Sequence, residues 1–291
     1  MILLAAAVLA NLIIAICFKL FDRLRVDHFT AIIINYWASA ILGSVISGQI
    51  PVISYTPASV SWTYFGLVLG VCFVGGFTVT ALSVRYTGMA VTTAMQRMSL
   101  LISAGYAVLV FHEPFGILKI SGMLLAVLAI LMITRRENRS VSGIQHLQFL
   151  LLPIGTLVLS GIIESVLYYV HAKKLAIHGD VVFSTYAFSI AACIGGIIVV
   201  ARVMNGAHKI TWRDVAGGVV LGVPNFFTIY LILALLQHGF SGSVLYPVLN
   251  ILVLAFTAVT GLYLFREKLK KVNVIGIVFA LLAILLISLS D

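Results

Sequence analysis

The chain has 291 residues, of which 62% are hydrophobic and 9% are charged, and its mean hydropathy is +1.17. Soluble domains are about 45–50% apolar and about 25% charged. The composition therefore excludes a water-soluble globule, a disordered chain, a coiled coil and a disulfide-framed secreted domain, and it requires an outer surface that faces lipid. The net charge of +9 comes from basic residues scattered between apolar runs, which is the pattern of membrane-protein loops and not of a nucleic-acid-binding face.

Ten apolar runs follow one another along the chain, and each is long enough to form a membrane-spanning helix of about 20 residues. The runs cover residues 2–20, 29–47, 61–83, 90–111, 117–134, 148–171, 182–203, 213–236, 243–265 and 271–289. The first run lacks the basic flank of a signal peptide, so we expect it to be retained as a helix. The charged break at 135–147 is long enough to be a linker, so we predict five-helix units at 1–134 and 148–291.

A repeat relates these two halves. When residues 86–134 are moved forward by 154 positions, scarce residue types fall on their own kind: Gly88 on Gly242, Glu113 on Glu267 and Gly122 on Gly276. Upstream, Gly66-x-x-x-Gly70 resembles Gly218-x-x-x-Gly222 in a register shifted by a few residues. Two tandem units of five helices must lie in the membrane with opposite orientations. The predicted fold is therefore an all-α integral membrane protein with ten transmembrane helices in two inverted repeats, an architecture typical of secondary transporters.

Two charged residues, Arg97 and Glu164, lie well inside apolar runs. A charge near the centre of a membrane helix costs at least about 2.5–3.5 kcal/mol, so both side chains must face the bundle interior or water. One interpretation is that they pair only to hold the two halves together. The other is that Arg97 anchors an anionic or carbonyl group of a substrate and that Glu164 carries a proton, because Arg97 effectively cannot lose one.

Polar residues form stripes on several predicted helices. On the fourth run Thr92, Gln96, Ser99 and Ser103 share one helix face, and the 154-residue shift turns them into Tyr246, Asn250, Val253 and Thr257. These stripes either line a central cavity or make interhelical hydrogen bonds. For Ser99, Ser103 and Thr257 we favour packing, whereas both interpretations stay open for Gln96, Asn250 and Tyr246.

Further polar candidates lie on the second, sixth and eighth runs. Asn225 follows Pro224, which frees a helical carbonyl, so this segment is a gating bend, a part of the site, or a kink satisfied by packing. The complete set of candidate substrate-binding or coupling residues is Arg97, Glu164, Gln96, Asn250, Tyr246, Asn225, Tyr168 and Asn35. No catalytic set, metal-ligand spacing or cofactor motif is present, so we expect no enzyme activity, no metal and no cofactor.

The ends of the two halves resemble the drug/metabolite transporter superfamily, in its ten-helix form with two EamA-like repeats. The residues concerned are Phe111-His112-Glu113-Pro114 through Gly122, and Phe265-Arg266-Glu267-Lys268-Leu269 through Gly276. Pro247 also fits the family pattern, although the first half has Thr93 at that position. The resemblance implies alternating access around a central cavity, often with proton or counter-substrate coupling. It also implies that Glu113 and Glu267 are structural caps at the membrane surface.

These observations predict a secondary transporter of a small polar organic metabolite, such as an amino acid, a sugar, a nucleotide-type or a drug-like compound. The alternatives are a non-transporting membrane receptor or subunit and an intramembrane enzyme. The expected partners are the substrate, membrane lipid and a proton or counter-substrate, with no nucleic acid. We expect a monomer or homodimer in the bacterial inner (cell) membrane.

The distribution of basic residues predicts the orientation of the chain. Odd-numbered loops hold 14 Lys and Arg residues and even-numbered loops hold three, Lys119, Lys173 and Lys174. The positive-inside rule then places the odd loops in the cytoplasm and both termini outside, whereas the resemblance implies termini inside. We expect reporter fusions in the 135–147 loop to be active only as cytoplasmic reporters. Cytoplasmic activity of fusions at the two termini would contradict this orientation.

Overall fold

The computed structural model describes residues 2–48, 60–111, 116–134, 143–173, 180–207, 209–237, 242–267 and 269–289. In this part of the chain the regular structure is helical, without strands. The helices are α1 (Ile2–Leu24), α2 (His28–Ser47), α3 (Val60–Thr87), α4 (Met89–Arg97), α5 (Leu100–Phe111), α6 (Ile117–Thr134), α7 (Gly143–Ala172), α8 (Asp180–Met204), α9 (Trp212–Gln237), α10 (Gly242–Tyr263) and α11 (Lys271–Ser288).

Among the described residues, five helical segments are long and apolar enough to cross a membrane, judged by length and composition. They cover Ile2–Leu24, His28–Ser47, Thr63–Thr87, Val181–Met204 and Trp212–Ile232. Shorter apolar segments lie in α6, α7, α10 and α11. Large apolar side chains such as Leu9, Ile41, Val71, Leu124 and Ile197 are exposed on the helix surfaces. Soluble proteins rarely expose so much apolar surface, and this architecture is consistent with an α-helical membrane protein.

The fourth apolar run is not one helix, as the sequence predicts, but two. Backbone N–H groups of Ser99, Leu101 and Ile102 bond to carbonyls three residues earlier, which interrupts the α-helical pattern between α4 and α5. Such a short, tighter stretch within a helix often marks a functional hinge. A second difference concerns Lys119, which the loop count assigns to a loop but which lies buried in the first turn of α6.

The chain folds as two compact units. Unit 1 contains Met1–Thr78 and Val166–Ala234, and unit 2 contains Val79–Ser165 and Leu235–Asp291. Each unit therefore combines segments from both predicted sequence halves. The boundaries of the repeats, at 1–134 and 148–291, stay a prediction, and residues 135–142 of the linker lie outside the described residues.

Helices at corresponding positions of the two sequence halves pack against each other. In unit 1, α2 contacts α8, and in unit 2, α4 contacts α10 and α6 contacts α11. The bounds of α6 and α11 differ by the shift of the sequence repeat, because 271 − 117 and 288 − 134 are both 154.

Glycines allow these helices to approach closely. In unit 1, a Cβ atom on Gly222 would lie 2.7 Å from the carbonyl oxygen of Asn35, and one on Gly218 would lie 2.7 Å from that of Ala31. The side chain of Ser39 donates a hydrogen bond to the carbonyl of Gly222. The Gly-x-x-x-Gly motif of α9 is thus a site of close contact with α2.

A polar cluster joins the ends of three helices in unit 1. Asp27 caps the N-terminus of α2, and its carboxylate accepts hydrogen bonds from Thr30 and from Arg202 of α8 at 3.0 Å. The backbone N–H of Asp27 donates to the carboxylate of Asp214 in α9, which also accepts from Thr211. Burial raises the pKa of Asp27, but the hydrogen bonds from Arg202 and Thr30 outweigh burial and lower it from 3.8 to about 2.

Removing the guanidinium of this cluster tests the pKa shift. Because folding lowers the pKa of Asp27, the charged carboxylate stabilises the folded state above pH 3.8, and this stabilisation is lost as the pH falls to about 2. We expect Arg202→Gln to lower the melting temperature above pH 3.8, with a difference from the wild type that vanishes near pH 2. Thermal unfolding in detergent across the acid range measures it, with the exposed Arg213→Gln as control. A difference that is independent of pH would contradict this assignment.

The close contact between α6 and α11 leads to a prediction about stability. A Cβ atom on Gly122 would lie 3.0 Å from the backbone nitrogen of Ile287 and 3.1 Å from the carbonyl oxygen of Ala283, and helix backbone cannot move aside cheaply. We expect Gly122→Ala to destabilise the protein by about 1–3 kcal/mol, the usual cost of overpacking. The matched control is Gly105→Ala, whose new methyl group meets only Met123 at 3.8 Å. Equal melting temperatures for the two variants would show that the contact is looser than described.

Candidate functional site

The break between α4 and α5 places polar side chains inside an otherwise apolar part of unit 2. Residues 89–95 of α4 are all buried, whereas Gln96 and Arg97 at the end of the helix are half-buried. A cation at a helix C-terminus is favoured by the unpaired carbonyls there, so Arg97 occupies a position that suits its charge. The site is therefore built where a buried helix ends in two half-buried polar residues.

The guanidinium of Arg97 contacts the amide of Asn250. Its Nη1 atom donates a hydrogen bond of 2.9 Å to the Oδ1 atom of Asn250, which lies on α10 and is 8% exposed. The neutral amide oxygen satisfies one donor without cancelling the charge. Arg97 therefore keeps its positive charge while its orientation is fixed by a neighbouring helix.

The carboxylate of Glu164 lies on α7 and contacts the other side of the helix break. Its Oε1 atom accepts a hydrogen bond of 2.7 Å from the hydroxyl of Ser99, which is fully buried. Arg97 attracts this carboxylate electrostatically. Each of the two charges has an uncharged partner, and the predicted pairing of Arg97 with Glu164 stays a prediction.

Two further candidates form a separate pair in unit 1. The Nδ2 atom of Asn225 donates a hydrogen bond of 3.1 Å to the Oδ1 atom of Asn35, and both residues are buried. The amide of Asn35 also donates to the carbonyl of Ile32. This geometry joins α9 to α2 and gives the pair a packing role, while its predicted role as a substrate contact stays untested.

The remaining candidates are placed only by their helices. Gln96 precedes Arg97 on α4 and is half-buried. Tyr168 lies on α7 and Tyr246 on α10, and both side chains are outside the described residues. Across the described ranges, no group of three or more His, Cys, Asp or Glu side chains is arranged to hold a metal ion.

Sequence reasoning did not assign Ser99 or Glu267 to the site. Ser99 was expected to serve packing, yet its hydroxyl binds Glu164 and its backbone lies in the helix break. The usable signal was its position two residues after an intramembrane arginine. Glu267 is confirmed as a helix cap, but the helix it caps is α4, which carries Arg97. Its counterpart Glu113 lies outside the described residues.

The arrangement combines two opposite charges with an amide and a hydroxyl. Arg97 offers donors to an anionic or carbonyl group, and Glu164 can accept a proton or a donor from a ligand. Both groups are half-buried, so they are neither sealed in a core nor fully exposed. Such a set can bind a small polar molecule and can couple its binding to the charge state of Glu164.

Comparisons with known proteins identify a relative by sequence and a solved structure with a similar fold. No protein-family model matches the chain. A protein of Haemophilus influenzae described as an uncharacterized protein is 31% identical over 224 residues, covering 75% of this chain and 72% of that protein. A solved crystal structure is similar over 98% of this chain and 97% of its own, with a TM-score of 0.58 and 11% sequence identity. At this identity the similarity shows a common fold and carries no information about function.

Proposed function

We propose that this chain, which belongs to the same family as the uncharacterized Haemophilus influenzae protein, is a secondary transporter of a small polar organic metabolite. Transport proceeds by alternating access in ten membrane spans arranged as two inverted repeats. The substrate classes in question are amino acids, sugars, nucleotide-type compounds and drug-like compounds. The protein acts as a monomer or homodimer in the bacterial inner (cell) membrane, without a cofactor and without catalysing a chemical reaction.

The observation that carries the proposal is the pair of half-buried charged residues, Arg97 and Glu164, beside the helix break in unit 2. Arg97 and Glu164 lie among apolar helices, where an isolated charge is costly. The fold offsets this cost with one amide and one hydroxyl partner. Replacing a buried charged pair by apolar side chains is often neutral or stabilising, so stability alone is a weak reason for keeping these two charges in the bundle.

The form of the backbone supports the same conclusion. In secondary transporters, interrupted helices near the middle of the membrane supply the groups that bind substrate and coupling ions. The interruption between α4 and α5 lies next to Arg97, and α4 packs against α10, its counterpart in the other sequence half. Both features support an inverted-repeat transporter, and the resemblance to the drug/metabolite transporter superfamily agrees with them.

The two charged groups have different roles in this proposal. Arg97 keeps its proton and anchors an anionic or carbonyl group of the substrate, with Asn250 and Gln96 beside it. In a proton-coupled transporter, Glu164 alternates between its charged and neutral forms and couples transport to the proton gradient. In an exchanger, a counter-substrate takes the place of the proton. Tyr246 and Tyr168 stay candidate substrate-binding residues in this proposal.

Two alternatives belong to other functional classes. An intramembrane enzyme requires a paired acid and base, or a metal, near a bond to be broken. A receptor or non-transporting subunit requires neither inverted repeats nor an accessible charged site. Flux across a sealed membrane separates transport from both.

Substitution of the two charges tests the proposal in proteoliposomes. The wild-type protein is expected to take up at least one labelled compound from a broad panel of polar metabolites. We expect Arg97→Ala to reduce this uptake by about tenfold or more, because hydrogen bonds to charged groups contribute about 1.5–3 kcal/mol. We expect Glu164→Gln to abolish acceleration by a pH gradient while exchange between internal and external substrate persists.

Arg202→Gln is the matched control, because it removes a different arginine, which belongs to the polar cluster of unit 1. Its uptake should stay close to that of the wild type. Absence of flux for every compound in the panel would favour the receptor or subunit alternative. Normal flux in Arg97→Ala would exclude this site, and a pH response retained in Glu164→Gln would exclude only the proton-coupling role.

A further inference from the structure

The N-terminus of α4 is a buried helix end without a cap of its own. Met89 and Ala90, the first two residues, are fully buried, and Gly88 before them has no side chain that could accept their N–H groups. The first turn of any helix has N–H groups without intrahelical partners, and leaving them unpaired away from water is costly. A partner from elsewhere in the chain is therefore required.

Glu267 supplies this partner from 178 residues away. Its Oε1 atom accepts a hydrogen bond of 2.7 Å from the backbone nitrogen of Met89, and its Oε2 atom accepts one of 3.2 Å from that of Ala90. Each carboxylate oxygen thus binds one N–H group. The negative charge also faces the positive end of the helix dipole, which strengthens the contact.

Two glycines make room for the carboxylate. A Cβ atom on Gly88 would lie 2.9 Å from Oε1, and one on Gly261 would lie 2.7 Å from Oε2. Gly88 also has φ +96°, a conformation that other residues rarely adopt. The segment after α10 turns back at Arg266, with φ 51°, and the N–H of Glu267 bonds to the carbonyl of Gly261. The backbone is thus shaped to hold this side chain in place.

We propose that Glu267 is a positioning residue for Arg97. Helix α4 has only nine residues, and the break after Arg97 separates it from α5. It is therefore a short rigid segment of about 13.5 Å, held by Glu267 at one end and by the contacts of Arg97 at the other. Release of the Glu267 end lets α4 shift and moves Gln96 and Arg97 out of register with Asn250.

This inference concerns the geometry of α4 and does not require that the protein transports anything. It assigns a mechanical role to the segment 264–267, which follows α10. Movement of this segment would reach Arg97 through a buried helix. The connection links the end of α10 to the polar site by hydrogen bonds that are all within unit 2.

Thiol accessibility at position 96 tests the inference directly. In a variant with Cys17, Cys72 and Cys193 replaced by serine, Gln96→Cys introduces one reporter thiol at the end of α4. The reporter protein is reconstituted in liposomes and treated with a membrane-impermeant methanethiosulfonate reagent. We expect Glu267→Gln to raise the labelling rate about fivefold or more, the population change that loss of a helix cap produces. The side-chain amide nitrogen of glutamine cannot accept a hydrogen bond, so one of the N–H groups of Met89 and Ala90 loses its partner.

Asp214→Asn is the matched control, because Asp214 is also a buried carboxylate that accepts backbone N–H groups, but in unit 1. Its labelling rate at position 96 should match that of the reporter protein even if its melting temperature falls. A labelling rate that is unchanged in Glu267→Gln, or that rises equally in both variants, would overturn the positioning role.

Gly261→Ala provides a second variant that keeps the carboxylate and crowds it. Its labelling rate should rise in the same direction, so the inference stays testable if Glu267→Gln does not fold. An unchanged rate in a folded Gly261→Ala protein would also count against it. Failure to find a transported compound leaves these results unaffected, so the two proposals can fail separately.

Discussion

The need to satisfy polar groups inside an apolar helix bundle governs unit 2. Arg97 binds Asn250 of α10, and Glu164 binds Ser99 in the helix break, so each charge is oriented by an uncharged group from another segment of the chain. Uncharged partners hold a charge in place without neutralising it. The same requirement explains Glu267, which satisfies the start of the helix whose end carries Arg97. The helix break, the cap and the charged site therefore all follow from the need to give polar groups inside the bundle a hydrogen-bond partner.

Unit 1 meets that constraint differently. Its charged cluster joins Asp27, Arg202 and Asp214 at helix ends, where Asp27 and Arg202 are partly exposed and Asp214 is buried, and its interior pair consists of the neutral Asn35 and Asn225. Neutral amides satisfy each other at much lower cost than charges do. The stabilising electrostatics of unit 1 therefore lie at its rim, whereas those of unit 2 lie within the bundle.

Much of this could be predicted from the sequence, because apolar runs and helical periodicity depend on local residue types. The bounds of α6 and α11 follow the repeat of 154 residues, and Arg97 stands out because intramembrane charge is rare. The break at Met98 and Ser99 could not be predicted, since neither residue is a helix breaker. The break depends on tertiary contacts that hydropathy does not record. The link from Glu267 to Met89 spans 178 residues and is equally invisible to local pattern.

The break also shows where the two sequence halves diverge. The repeat shift carries Arg97 to Ile251 and Ser99 to Val253, and α10 runs without interruption from Gly242 to Tyr263 across these positions. The equivalent helices α4 and α10 pack against each other. At these positions, however, the charge and the helix break occur at the end of α4 and not in α10. A packing motif has to be present in both halves to build the bundle, but a binding site has to be built only once. The asymmetry at Arg97 therefore favours a functional origin over a structural one.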